Sequence, residues 1–374
     1  MYGFRGTQVP FEIKHIAATC AFSAMLALSG CKAGNDSPKT AAQPPARQGE
    51  VTQSQVHVLA DGSRYSGELI NGKKEGKGLY VWSNGDSYDG DWKNDLMSGQ
   101  GTFKDAQGRT YKGQWKNGLF DGKGVYTWPS GSHYEGDFVA GVKQGKGIYH
   151  WADGREYRGQ FKDDKKNGDG TYQWPDGRKY MGQFVDDQRT GHGKMIYPDG
   201  AVYDGGFVDG LRQGKGTLTL ADGSVYDGDF TDDHMQGQGT MKWPSGESYT
   251  GQFTDDRPNG KGSMIWPGGN RYEGQFVNGV MDGQGKLTFA DGRVYEGNFK
   301  QGKRSGKGSL IWPTGEKYVG DFVDGMREGS GTFTWPDQSK YVGGFVQNAL
   351  DGKGMCTTDG KTVPCRFDKG VRIE

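Results

Sequence analysis

Aliphatic residues are scarce in this sequence. All hydrophobic types together supply 32% of its 374 residues, well under the roughly 45–50% of an ordinary globular chain. Length alone would allow two or three compact domains, but so lean a chain cannot close several conventional cores. Proline is also sparse, at 13, and the 68 glycines do not fall at every third position, which excludes a collagen helix. Net charge is absent, with Lys+Arg and Asp+Glu both at 46, so no bulk field steers the molecule to nucleic acid or to anionic lipid. There is no Gly-x-x-x-x-Gly-Lys-Ser/Thr phosphate loop. The six histidines (His15, His57, His133, His150, His192 and His234) never stand at metal-ligand spacing from one another or from a cysteine. What is plentiful is aromatic: Tyr 19, Phe 18 and Trp 10, more than a disordered glycine-rich chain carries.

The longest apolar run covers only Ile16 to Leu28, behind Arg5, Lys14 and His15. It is too short to span a bilayer and has the length of a signal-peptide core. It ends in Leu28-Ser29-Gly30-Cys31, small residues before a cysteine that resemble a bacterial lipobox. The expected organisation is therefore a lipoprotein signal peptide over residues 1–30 and a lipid on Cys31, the only membrane anchor. A flexible Pro-, Gln-, Ala- and Ser-rich tether follows to residue 57. Lys32 after the cysteine, rather than Asp, favours the outer membrane over the inner. With Cys20 removed and Cys31 acylated, only Cys356 and Cys365 remain. They flank Asp359-Gly360 and can face each other across a terminal hairpin, and in an oxidising envelope a disulfide is favoured over a reduced pair.

Residues 58–374 are one unit written about thirteen times. Tyr65, Tyr88, Tyr111 and their successors to Tyr341 recur every 23 residues without a slip. Each is followed by Gly at +2, by Leu, Trp or Phe at +4, and by Gly-x-Gly beginning at +11. Such a period signals stacked supersecondary units. In Gly124-Val125-Tyr126-Thr127-Trp128-Pro129-Ser130-Gly131-Ser132-His133-Tyr134-Glu135-Gly136-Asp137-Phe138, period-two alternation runs on both sides of a Pro-x-Gly turn. Each repeat is thus an antiparallel hairpin. No helical periodicity follows the leader. Thirteen hairpins at about 10 Å each predict a sheet on the order of 125 Å long, with caps at Val56–Asp61 and at the cysteine-bearing last hairpin.

Alternation puts Tyr, Gly, Phe/Trp and strand-one pairs such as Tyr149/Trp151 on one face, and mainly Thr, Lys, Glu, Asp and Gln on the other. The mid-strand glycines, costly in a strand, are expected to leave holes in which a neighbouring Trp or Tyr ring lies flat. Two features depart from uniformity. Acidic pairs (Asp163-Asp164, Asp186-Asp187, Asp232-Asp233, Asp255-Asp256) occupy the inter-hairpin turn; turns about 10 Å apart cannot readily share a Ca²⁺ ion, so they read as a solvated stripe. A tryptophan row (Trp128, Trp151, Trp174, Trp243, Trp266, Trp312 and Trp335) reads either as part of the ring-on-glycine ladder or as a candidate stacking platform for a sugar or peptide.

The unit, as in Tyr111-Lys112-Gly113-Gln114-Trp115 with Gly122-Lys123-Gly124, resembles the MORN repeat (membrane occupation and recognition nexus), over about residues 58–370. The resemblance implies an all-β fold: an elongated single-sheet solenoid of tandem antiparallel β-hairpins. It also implies a scaffold, dimerisation or ligand-binding role. The expectation is a non-catalytic, lipid-anchored envelope scaffold that binds a protein partner or itself, with no cofactor and no metal. The alternative is direct binding of envelope glycan or phospholipid through the aromatic face.

Overall fold

The structure, a computed structural model, describes residues 51, 52 and 55–374. The expected signal peptide, the Cys31 attachment site and most of the tether lie outside the described residues. Among the described residues there are thirty strands and no helix. The chain divides into two units, residues 1–188 and 189–374.

In the first unit, seven-residue strands carrying Tyr-x-Gly-x-Phe/Trp alternate with nine-residue strands carrying Gly-x-Gly, from Arg64–Ile70 and Lys73–Val81 onward to Lys179–Val185. Each pairs antiparallel with the next in sequence, as in Tyr157↔Tyr172 and Gly159↔Gly170. Pairing starts earlier than the expected 57/58 boundary. Val51 and Thr52 lie opposite Ile70 and Leu69, and Val56–Val58 lies opposite Ser66, Tyr65 and Arg64, so the last residues assigned to the tether already form an edge. The second unit repeats the pattern from Gln188–Ile196 to Lys361–Asp368, and Val371–Arg372 folds back on that last long strand.

Two turn types alternate, and the sequence shows why. In Trp128-Pro129-Ser130-Gly131, the Gly131 N–H donates to the Trp128 carbonyl (3.0 Å) and the Trp128 N–H donates to the Ser132 carbonyl (2.9 Å). Pro129 presets the first turn residue, and Gly131 supplies the left-handed closing position at φ 92°. Gln338 accepts that strained position once, at φ 68°. The other turn has two residues, both left-handed: Asn71 at 52° and Gly72 at 76°, or Asp163 at 51° and Asp164 at 68°. This is the type I′ geometry that matches strand twist, and Asn, Asp and Gly tolerate it best.

The core is a column of tyrosines. Tyr88, Tyr111 and each successor to Tyr341 are fully buried. The ring that fills each glycine hole is the repeat's own tyrosine, not a tryptophan. Added at Gly170, a Cβ would stand 2.5 Å from Cε2 of Tyr157 and 2.6 Å from its hydroxyl, and at Gly159 it would meet the same ring. The Tyr157 hydroxyl donates to the Gln160 carbonyl at 2.9 Å. That carbonyl belongs to a β-bulge, where the register shifts between Gly159 and Phe161. The bulge side chain serves the opposing strand: Gln114 Oε1 accepts the Lys123 N–H at 2.9 Å, and Asp137 Oδ2 accepts that of Lys146 at 3.2 Å. Period-two reading detected the strands but not this extra residue. Phenylalanines brace each ring edge-on, Phe161 and Phe184 both 5.1 Å from Tyr157, and Phe230 and Phe253 at 5.2 and 4.9 Å from Tyr226.

At the C-terminal end Val363 and Cys365 take the places of Tyr and Gly, opposite Cys356 and Gly354. Cys356 and Cys365 form a disulfide with Cα atoms 5.8 Å apart, so a covalent link stands where the next ring would lie.

Gly170→Val is expected to destabilise the protein by about 1–3 kcal/mol through overpacking against Tyr157, although strand propensity alone favours valine. A denaturant midpoint equal to or above that of the parent chain would contradict the ring-over-glycine packing.

Candidate functional site

One face of the sheet is already occupied by the chain's own side chains. Beside the tyrosine column, the phenylalanines and tryptophans at +4 are almost fully buried, from Trp92 and Trp115 to Phe345. The tryptophan row stands elsewhere, at the hairpin edge, and each member opens a Pro-x-Gly-type turn. Trp128, Trp151, Trp174, Trp243, Trp266, Trp312 and Trp335 are all half-buried. In the first unit they interleave with strand-one tyrosines: Tyr126–Trp128 at 4.5 Å, Trp128–Tyr149 at 5.2 Å, Tyr149–Trp151 at 4.4 Å and Trp151–Tyr172 at 5.4 Å. Guanidinium groups cover part of this edge, Arg155 5.3 Å from the Trp151 ring and Arg178 5.1 Å from Trp174. Asp153 and Asp176 hold those arginines at 2.7 Å, and the hydrogen bond from Arg155 lowers the Asp153 carboxyl below its ordinary range. In the second unit Trp312, Phe333 and Trp335 continue the edge at 5.8 and 4.9 Å. The row is thus a turn-edge ladder and not part of the ring-on-glycine core.

A second column escaped sequence reasoning. Nine residues after each repeat tyrosine stands either a cation (Lys74, Lys143, Lys166, Arg189, Arg212, Arg304, Arg327) or an apolar residue (Met97, Phe120, Met235, Pro258, Met281, Leu350). Lys143 is 9% exposed, with its ammonium 5.7, 5.3 and 5.8 Å from the Tyr134, Tyr149 and Phe161 rings. Burial pushes its pKa down, and the Asp164 carboxylate 3.9 Å away opposes that shift. The signal was present as a column that accepts both Lys/Arg and Met, which long apolar stems with polar tips satisfy.

That column explains the acidic pairs. The second Asp of each pair accepts a backbone N–H from the strand that follows the preceding turn: Asp164 from Lys143 at 3.0 Å, Asp187 from Lys166 at 2.9 Å, Asp233 from Arg212 at 2.8 Å and Asp256 from Met235 at 2.7 Å. These carboxylates tie one repeat to the next. Among the described residues no group of three or more His, Cys, Asp or Glu converges as a metal site. Register does join two histidines that sequence spacing kept apart: the His133 and His150 rings stack at 4.4 Å, with Glu156 3.2 Å from His150 Nδ1.

The opposite face carries no aromatic layer. Its Gly-x-Gly lysines project into solvent and pair across strands, Lys123 with Asp137 at 3.0 Å and Lys307 with Asp321 at 2.7 Å. Each unit has a broad groove on this face. The groove in the first unit, about 970 Å³, is lined by Lys112, Glu135 and Arg158 between Val125 and Ile148. The groove in the second, about 1030 Å³, has Val319 and Val342 among its lining.

A sheet of tandem hairpins with tyrosine over paired glycines, and with no convergent reactive group among the described residues, defines a hairpin-repeat protein. The MORN repeat model matches thirteen times, at residues 65–87, 88–108, 111–133, 134–154, 157–177, 180–202, 203–225, 226–248, 249–271, 272–292, 295–317, 318–340 and 341–362. The chain belongs to the MORN-repeat family. No curated protein matches it. Solved structures similar to it include the SAS-4 TCP domain of Drosophila melanogaster in complex with a proline-rich motif of Ana2 (14% identity, covering 41% of this chain and 83% of that one, TM-score 0.28). Another is the Danio rerio CPAP TCP10 domain with a peptide of STIL (15% identity, 66% and 94% covered, TM-score 0.21). At TM-scores of that size the likeness has no bearing on function.

Two outcomes follow. Lys143→Met should change stability by no more than about 1 kcal/mol, or raise it, because other repeats place Met there and a buried ion pair seldom exceeds an apolar replacement; a loss of several kcal/mol in thermal unfolding would show that the cation is essential. Burial also pushes Tyr249, Tyr272 and Tyr295 up to about 12 from an ordinary 10.0. The folded state therefore holds these protons more tightly than the unfolded state. That stabilisation is complete below about pH 10 and is lost as pH rises towards about 12. Phenolate absorbance from the repeat tyrosines should then appear together with unfolding, and ionisation of all nineteen tyrosines in a still-folded protein would contradict the buried column.

Proposed function

We propose that the chain is a non-catalytic scaffold, held to the bacterial cell envelope by a lipid on Cys31, that binds a protein partner or a second copy of itself through the face opposite the rings. One observation carries this reading. The aromatic face is filled by its own tyrosines and phenylalanines, whereas the polar face presents grooves and exposed lysines in both units. Membership of the MORN-repeat family is consistent with a protein- or membrane-interaction role. The lipobox-like Leu28-Ser29-Gly30-Cys31, the basic residues before the apolar run and the Lys at position 32 support attachment on the periplasmic side of the outer membrane. Stacking of a glycan or phospholipid on the tryptophan row has weaker support, because Tyr172 and Arg155 already pack against Trp151.

Affinity capture from detergent-solubilised membranes, using the full chain and a chain with Lys112→Glu and Arg158→Glu on the polar face, tests the binding reading. Loss of a captured protein in the variant supports it, and capture unchanged by every polar-face substitution opposes it. Anchoring is tested separately. Cys31→Ser should move the protein from the membrane to the soluble fraction, and a salt-resistant membrane-bound variant would overturn the lipid anchor.

A further inference from the structure

The polar face is not uniform along the second unit. Its cross-strand rows can be followed through the register. Near the C-terminus one row reads Ser309↔Val319↔Thr332↔Val342↔Met355↔Pro364. Val319 is 46% exposed, Val342 50% and Met355 42%, on a face that elsewhere carries charge. At the positions equivalent to Val319 and Val342 the first unit's groove has Lys112, Glu135 and Arg158, which alternate with the apolar Val125 and Ile148.

Cations stand in both flanking rows. On one side run Ile311↔Lys317↔Thr334↔Lys340, and on the other Lys353 stands opposite Arg366. Among the described residues none of these four cations has a carboxylate within ion-pair distance, unlike Lys307 and Lys123 with their aspartates. Lys353, the Gly-x-Gly lysine here, faces Arg366 where Lys123 and Lys307 face Asp137 and Asp321. On the bulge this repeat has Gly344, as another has Gly206, so no side chain projects there. The groove of about 1030 Å³ has Lys317, Val319, Val342, Gly344 and Lys353 in its wall.

We propose that this C-terminal groove docks a segment of a partner protein in which apolar side chains alternate with Asp or Glu. The inference rests on the reading of the polar face as the binding face, and it names the place and the chemistry. The half-exposed valines supply apolar area that gains by desolvation. The four unpaired cations complement acidic side chains and penalise basic ones. An anionic bilayer fits less well. The apolar groups line a groove between long lysine stems, whereas a membrane-seeking surface needs its apolar groups foremost.

The test uses the full mature chain in detergent and a fluorescent peptide of alternating Leu and Glu. A Leu/Lys peptide and phosphatidylglycerol vesicles serve as competitors of the other kinds. Saturable anisotropy binding of the acidic peptide is expected, weakened roughly tenfold or more by Val342→Asp and by Lys317→Glu with Lys340→Glu. Lys112→Glu with Arg158→Glu should leave it unchanged. All these side chains are on the surface, and equal melting midpoints verify the fold; the lysine pair alone decides the matter if Val342→Asp melts early. Equal binding of the basic peptide, binding indifferent to both groove variants, or groove-dependent binding of vesicles in place of peptide would each overturn the proposal. If the peptide fails while membrane capture still depends on Lys112 and Arg158, the groove assignment falls and the polar-face reading stands. If capture is also indifferent to the polar face, both fall.

Discussion

A phenol ring needs more space than a single-layer sheet ordinarily offers, and the rest of this structure follows from how that space is made. Each repeat tyrosine lies across two glycines, one on its own strand and one on the next, and a Cβ at either would collide with the ring. The hydroxyl then needs a partner once it is buried, and the bulge carbonyl three residues later supplies it. The bulge in turn frees an N–H on the neighbouring strand, which an Asp or Gln side chain accepts. Tyr, Gly, the bulge residue and Gly-x-Gly are therefore one coupled device. The edge-on phenylalanines link each device to the next, so a sheet with few aliphatic residues still has a dry interior.

Cohesion between repeats also runs along the turn edge. The two-residue turns place their second residue where its N–H reaches a carbonyl in the strand just after the preceding turn, as Asp164 does with Lys143 at 3.2 Å. Where that residue is Asp, its carboxylate accepts a second bond and faces the cation packed among the rings. Where it is Gly, as at Gly210, the guanidinium of Arg189 donates to the turn carbonyl directly at 2.7 Å. Charge at this edge is internal wiring, and little of it remains available for an outside ligand.

The hairpins, the 23-residue period, both turns and the division into an aromatic and a polar face were legible in the residues. Alternation and turn chemistry are local, and thirteen copies average out local noise. Three things were not legible. The bulge adds a residue without disturbing the apolar period that was being read. The ring over glycine was expected from a neighbour, because sequence order does not say which ring reaches forward two residues along its own strand. The cation column went unread, since only the register shows that Lys143 points among Tyr134, Tyr149 and Phe161. The stacked pair of His133 and His150 was hidden for the same reason: seventeen residues of sequence separate side chains that the register sets opposite one another.

The contrast between the two faces bears on function through what repetition can and cannot vary. On the aromatic face nearly every position is committed to its neighbours, so a change there costs stability before it can change recognition. On the polar face the position after each repeat tyrosine touches solvent, and the sequence drifts from Lys112, Glu135 and Arg158 to Val319 and Val342 without altering the hairpin. A repeat protein acquires a unique site only where such drift is tolerated. The replacement of the bulge aspartate by Gly344 belongs to the same logic. It gives up the side-chain acceptor that other repeats use, at a position where the backbone bulge persists and the tyrosine hydroxyl still reaches both the Gly344 and Asp351 carbonyls at 3.3 Å. Structural cost is borne by one hydrogen bond, in the repeat where Val342 lies beside the cations Lys340 and Lys353.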